Sequence, residues 1–178
     1  MTARAILRRC RRRQRPGALA LAGLGVAILS LTPTERAIPW LVWNASASAP
    51  VGLYRVVAGP AERGDLVPVP PPADVTALAA ERGYLPAGVP LIKRVAAVAG
   101  DHVCAVGSAV VLHAQTVVRR LDTDAAGRPL PRWSGCRRLA DGEVFLLMAE
   151  TTESFDSRYF GPVPSASVMG RLVPLWTD

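Results

Sequence analysis

Of the 21 basic residues in this 178-residue chain, one is lysine, Lys93, and all the others are arginine. Arginine serves wherever only charge or solubility matters, but its guanidinium stays protonated at any usable pH. A lysine kept in so arginine-rich a chain is a candidate for chemistry in which the amine must lose its proton. Its local pattern supplies a means. In PLIKRVAAVA (90–99) a period of two sets Leu91, Lys93, Val95 and Ala97 on one face and Ile92, Arg94, Ala96 and Val98 on the other. An amine among apolar side chains loses solvation, which disfavours the charged form and lowers the pKa toward that of a general base. A lysine whose stem packs while its head reaches solvent fits the same pattern.

A lysine base needs a nucleophile. In NASASAPVGLYR (44–55), Ser46 and Ser48 are followed by Pro50 and Gly52. A serine in a turn bounded by Pro and Gly presents its Oγ free of long neighbours, and a neighbouring base can activate it for acyl transfer. By composition alone the same stretch reads as a Ser/Ala/Pro linker. A Ser-His-Asp grouping through His102 beside Asp101 would need a contact that sequence does not show. His102 and His113 have no neighbouring ligand pattern, and the chain has no CxxC, so neither a metal nor a cofactor is expected.

The elements that must position these residues begin with the charge distribution. The formal charge is +7, yet seven arginines lie within the first fifteen residues and the remainder is balanced. That argues against a globally basic nucleic-acid-binding domain, so no nucleic-acid partner is expected. After the basic tail (1–15), the stretch 16–34 is free of charge, near the lower limit of a membrane span of roughly 17–25 residues. The positive-inside rule then places the N-terminus in the cytoplasm and the domain 37–178 on the far side. Trp40 and Trp43 in AIPWLVW suit the outer membrane interface. A cleavable signal peptide has the same charge order, with small residues around Ala45–Ala49 as a cleavage site. The length of the apolar run favours an uncleaved transmembrane anchor. Cys10 falls on the reducing side. Cys104 and Cys136 fall on the exported side, where they form one disulfide or remain as two buried thiols.

The exported part reads as mostly β. Strands are predicted at 51–57, 65–69, 90–99, 101–106, 108–113, 143–149 and 168–176, separated by Gly and Pro. One helix is predicted over Ala73–Arg82 with Gly83 as its stop. The polar segment 120–138 reads as an excursion from the core. The fold class expected is a small antiparallel β domain behind one N-terminal transmembrane helix.

Several boxes together resemble the serine–lysine signal peptidase family and, within it, the conjugative-transfer (TraF) branch. NASASAPVGLYR resembles the nucleophile box, ERGDLVPV (62–69) the box around Gly64 and Asp65, and RGYLPAGVPLIKRVAAVAGD (82–101) the lysine box. GRPLPRWSGC (127–136) and FLLMAETTESFDSRYFGPV (145–163) are closer to the conjugative branch than to housekeeping signal peptidases. Two departures stand out: Ala49 follows the serine where the housekeeping enzymes have Met, and AETTESF replaces their GDNRDNS run.

The resemblance implies a fold, a set of roles and a substrate. The fold is the signal-peptidase-like antiparallel β domain. Ser48 would be the nucleophile and Lys93 its general base. The Ser48 N–H and the Ser46 hydroxyl would form the oxyanion hole. Ser154 would orient the lysine amine, and Asp156 and Arg158 would form a supporting ion pair, with Ser157 an ordinary turn residue. The implied protein is a serine endopeptidase of the bacterial inner membrane with a periplasmic catalytic domain. Its partners would be membrane lipid and a precursor protein cut after small residues of the Ala-x-Ala type, a conjugative pilin that it matures or cyclises. A general type I signal peptidase and a non-enzymatic anchored assembly factor are the competing readings. A self-cleaving serine–lysine repressor would lack the anchor.

Overall fold

The computed structural model describes Ala20, Leu21 and Ile38–Asp178. The basic tail, Cys10 and all but two residues of the expected anchor lie outside the described residues. Among those described, no helix is long and apolar enough to cross a membrane. The chain divides into two units, Met1–Ala37 and Ile38–Asp178, and the architecture below is that of the second.

Eleven strands build three antiparallel sheets. The first has the order β1 (Leu41–Asn44), β2 (Gly52–Val57), β11 (Arg171–Thr177). The second runs β10 (Val163–Pro164), β9 (Glu143–Leu146), β4 (Leu91–Val98), β3 (Leu66–Val69). The third runs β7 (Thr116–Arg119), β6 (Ala109–Leu112), β5 (His102–Val106), β8 (Gly135–Arg138). A helix spans Ala73–Glu81, and Gly83 follows it at φ 72°, the left-handed conformation that glycine adopts most readily.

The seven expected strands and the helix are present, with ends that move by at most three residues. The strand expected to run to 149 stops at Leu146, because the Met148 N–H turns to the Asp156 carboxylate instead of a neighbouring strand. Four strands lacked a readable signal, among them β10, whose two residues can show no period. AIPWLVW, read as an interfacial stretch, supplies all of β1 but Asn44, and β1 pairs antiparallel with β2 from Leu41↔Arg55 to Asn44↔Gly52. Thr116–Arg119 is too short to show alternation. The excursion is shorter than expected, since Gly135–Arg138 pairs with β5 as β8, all four residues exposed. Tertiary pairing decides that strand: Cys136 lies opposite Cys104, and a disulfide joins them.

The core falls into three apolar clusters, and β4 enters all of them. Ala97 packs with Val103, Val110 and Phe145. Leu91 and Val95 pack with Val67 and Leu146. Ile92 packs with Tyr54, Met148 and Leu172 on the other side of the sheet. A strand covered on both faces has little freedom to shift register, because a one-residue slip would exchange its two apolar faces. Lys93 sits between Ile92 and Arg94 on this strand, opposite Val67. The β4–β9 ladder shifts register between Val95 and Ala97, the kind of bulge that re-aims side chains beside a site. Gly52 closes the first sheet: a Cβ there would stand 2.1 Å from the Trp176 carbonyl oxygen, a gap that no other residue fits.

Candidate active site

β1 and β2 are joined by a short turn that carries Ser46 and Ser48 (residues 45–51). Asn44, the last residue of β1, is 3% exposed. Its Nδ2 lies 3.0 Å from the Ser46 carbonyl oxygen, 3.0 Å from that of Ala49 and 2.9 Å from that of Pro50. Its Oδ1 accepts the Ser46 N–H at 3.0 Å and the Ser46 hydroxyl at 2.9 Å. The Tyr54 hydroxyl donates to the same Pro50 carbonyl at 2.6 Å. Both Asn44 and Tyr54 escaped the sequence reading. An Asx residue just ahead of a turn is the signal that could have found the first.

β4 delivers the lysine to this turn. Lys93 is 4% exposed. Its Nζ lies 3.0 Å from Ser48 Oγ and 2.9 Å from Ser154 Oγ. Burial pushes the amine from 10.5 down to about 8; Asp156 opposes that shift and Arg158 adds to it. At neutral pH about a tenth of such an amine carries no charge. As an ammonium, Lys93 donates to both hydroxyls. As a neutral amine it can donate to Ser154 and accept the Ser48 O–H on its lone pair, the geometry of a general base. Ser46 Oγ lies 3.1 Å from Ser48 Oγ on the other side.

The segment after β9 supplies Ser154 and is cross-linked from within. Arg158 and Asp156 are 1% and 0% exposed. Arg158 Nε donates to Asp156 Oδ1 at 2.8 Å and its Nη2 to Oδ2 at 3.0 Å. Asp156 also accepts the N–H groups of Met148 and Arg158, each at 3.1 Å. The remaining guanidinium hydrogens reach the carbonyls of Met148, Thr152 and Arg119. This ion pair therefore ties both ends of the 148–158 turn together around Ser154. Neither partner hydrogen-bonds Ser48 or Lys93. Ser157 is more than the turn residue expected. It is fully buried, and its Oγ accepts the Leu146 N–H at the end of β9, where the ladder has no further strand to offer. Cys104 and Cys136 lie in the third sheet, outside the cleft that holds these serines.

Ser46, Ser48, Lys93 and Ser154 line one cleft of about 860 Å³, whose walls include Val42, Leu85, Val89, Leu130 and Phe155. The polar excursion forms one of these walls. The Tyr84 hydroxyl donates to Asp124 Oδ2 at 2.5 Å, and that bond, with those from Arg128, holds the Asp124 carboxyl well below its ordinary range. A charged aspartate thus pins the excursion to the chain that leaves the helix. Neither histidine lines the cleft. Asp101 faces Arg63 and His113, which leaves a His102–Asp101 pair at Ser48 without support.

The family model described as "Signal peptidase, peptidase S26" matches residues 15–176. A plasmid transfer protein TraF of Escherichia coli is 36% identical over 163 residues, 86% of this chain and 91% of that protein. A conjugal transfer protein TraF of Agrobacterium fabrum is 34% identical, covering 89% and 93% of the two chains. The crystal structure of a signal peptidase I from Enterococcus faecalis superposes with a TM-score of 0.38 at 21% identity, over 66% of this chain and 100% of that one. Because the family match runs almost from end to end, and relatives about a third identical are covered over nine-tenths of their length, this chain belongs to the signal peptidase family, peptidase S26, on its TraF branch.

Proposed function

We propose that this protein is a membrane-anchored serine endopeptidase that uses Ser48 and Lys93 to cut membrane-delivered precursors after small residues. The observation that carries the reading is the chain's sole lysine, buried among apolar side chains with its Nζ 3.0 Å from Ser48 Oγ. Neutral Lys93 takes the Ser48 proton as Oγ attacks the scissile carbonyl. Charge builds on the carbonyl oxygen, which the Ser48 N–H and the Ser46 hydroxyl stabilise. Collapse breaks the C–N bond, the proton on Lys93 passes to the leaving amine, and the acyl group stays on Ser48. Water activated by Lys93 then releases it. Ser154 holds the amine so that its lone pair points at Ser48, and Asp156 with Arg158 holds Ser154.

Relatives named as plasmid and conjugal transfer proteins support a role in conjugation; the pilin precursor as substrate is what the resemblance to the conjugative branch implies. A disulfide between Cys104 and Cys136 suits an oxidising periplasm. Trp43 and Trp176 stack at 5.7 Å between centroids, both about half exposed, with Leu41 and Leu175 exposed nearby. An aromatic face on the sheet that leads into the Ser48 turn supports a domain resting on the outer membrane interface.

The test is precursor processing in membranes by the wild type, Ser48→Ala and Lys93→Arg. Both variants are expected to leave a pilin precursor uncut. Processing at the wild-type rate by either would refute the dyad. Comparing a pilin precursor with general secretory precursors in the same membranes separates a specialised enzyme from a general one.

A further inference from the structure

We propose that Asn44 is a positioning residue that acts through Ser46, holding its hydroxyl oxygen beside the Ser48 nucleophile by way of the turn it gathers. This rests on the Ser48–Lys93 reading above. The carboxamide of Asn44 is buried, and every hydrogen bond it makes goes to residues 46–50. Its donor end gathers three carbonyl oxygens, so it fixes the turn at Ser46, Ala49 and Pro50, on both sides of Ser48. Its acceptor end holds Ser46 twice, by the backbone N–H and by the side chain. No other side chain type combines two donors and an acceptor at this reach: aspartate lacks the donors, and glutamine is one carbon too long.

Proton counting shows what the acceptor end does. The Ser46 hydroxyl has one proton and two oxygen neighbours, Asn44 Oδ1 at 2.9 Å and Ser48 Oγ at 3.1 Å. Asn44 Oδ1 cannot donate, so the shorter contact exists only when Ser46 points its proton at Asn44. Ser46 then offers a lone pair to Ser48. With Lys93 as an ammonium, the chain runs in one direction, Lys93 to Ser48 to Ser46 to Asn44, and the nucleophile's proton faces away from the base. When Lys93 is neutral, Ser48 turns its proton to the amine. The Ser46 proton is then the only one in the chain free to rotate toward the developing oxyanion. Asn44 anchors the resting end of this chain and keeps the Ser46 oxygen within reach of the reacting carbonyl. A Ser46 oxygen held in place in this way acts mainly on kcat, because the charge its proton turns to meet develops only in the transition state.

The experiment is a double-mutant cycle on the full chain in detergent micelles, with a fluorogenic peptide spanning an Ala-x-Ala site as the probe. Asn44→Ala and Ser46→Ala are each expected to lower kcat about 10²-fold, with KM changed by less than about threefold. The double variant should fall no more than about threefold below the worse single one, because residues acting through one another are not additive. A merely structural Asn44 would give multiplied losses, about 10⁴-fold in the double variant. That outcome, or an unchanged kcat in Asn44→Ala, overturns the proposal. Should Asn44→Ala not fold, the isosteric Asn44→Leu, which removes donors and acceptor together, replaces it in the cycle, with the same two outcomes deciding. Ser48→Ala and Lys93→Arg are run alongside. If either cleaves at the wild-type rate, the dyad reading fails and takes this one with it. If both are inactive and the cycle multiplies, the Asn44 assignment alone fails.

Discussion

Arg158 and Lys93 are both buried cations, 1% and 4% exposed, and the fold surrounds them in opposite ways. Arg158 meets a carboxylate through two of its nitrogens and spends its other hydrogens on backbone carbonyls. Lys93 meets two neutral hydroxyls and hydrogen-bonds no anion. The difference follows from what each group can do when water is removed. A guanidinium cannot discharge at usable pH, so a buried one needs acceptors for its hydrogens: Arg158 has a carboxylate and carbonyls, and Arg120, 4% exposed, has the carbonyls of Gly107 and Trp133. An amine can discharge, and burial with no hydrogen-bonded anion to offset it brings this one to about 8. One region uses burial to hold a structure, the other to prepare a base.

Exchanging the cation is the strongest way to break this contrast. Lys93→Arg keeps charge and some length but removes the proton acceptor, and kcat/KM is expected to drop by about 10³-fold or more in single-turnover cleavage. Activity retained with arginine would mean that neutrality at position 93 does not matter.

The next largest effect should come from removing the counterion. Asp156→Asn leaves Arg158 buried and unpaired, and chemical denaturation should show a loss of about 3–5 kcal/mol. Replacing both residues by apolar ones of similar size should cost less than the single change. A harmless Asp156→Asn would mean that the two cations are not treated differently after all.

Ser154→Ala sharpens the comparison on the lysine side. It removes an uncharged partner, so stability should change little beyond one buried hydrogen bond, about 1 kcal/mol. Activity should fall about 10²-fold, because the lone pair of Lys93 loses its orientation. A thermal melt and a kcat measurement on one sample separate the two.

The smallest expected effect is on pH dependence. With Lys93 at about 8, kcat/KM should rise roughly tenfold from pH 7 to pH 9. Since the chain has a single lysine, selective isotope labelling gives one ε-amine signal to titrate directly. Stability should follow the same group. Folding lowers this pKa, so the contribution is unfavourable below about pH 8 and is relieved as pH rises toward the ordinary 10.5. An ε-amine signal that titrates near 10.5 would place Lys93 with the snorkelling lysines.

Much of this arrangement was legible along the chain, and the exceptions have one cause. Strands with alternating or continuous apolar residues, such as Leu91–Val98, announce themselves because their own side chains drive their burial. β8 does not, since its four exposed residues are strand only by pairing with β5. Lys93 stood out as an unusual residue type on an apolar strand. Asn44 did not, since asparagine before a turn is common and its importance lies in five contacts that the turn makes only once folded. Ser157 was passed over for the same reason.

By itself the sequence determined that the domain is mostly β, that its net charge belongs to the N-terminal tail, and that one lysine lies on an apolar strand. These follow from composition and periodicity, which need no distant partner. Only the tertiary structure decided that Ser48, Ser154 and Lys93, separated by 45 and 61 positions, meet at one amine. It also decided that Asp156 serves Arg158 and leaves Lys93 without a hydrogen-bonded anion. A pKa is set by what surrounds a group in space, and no local pattern carries that information.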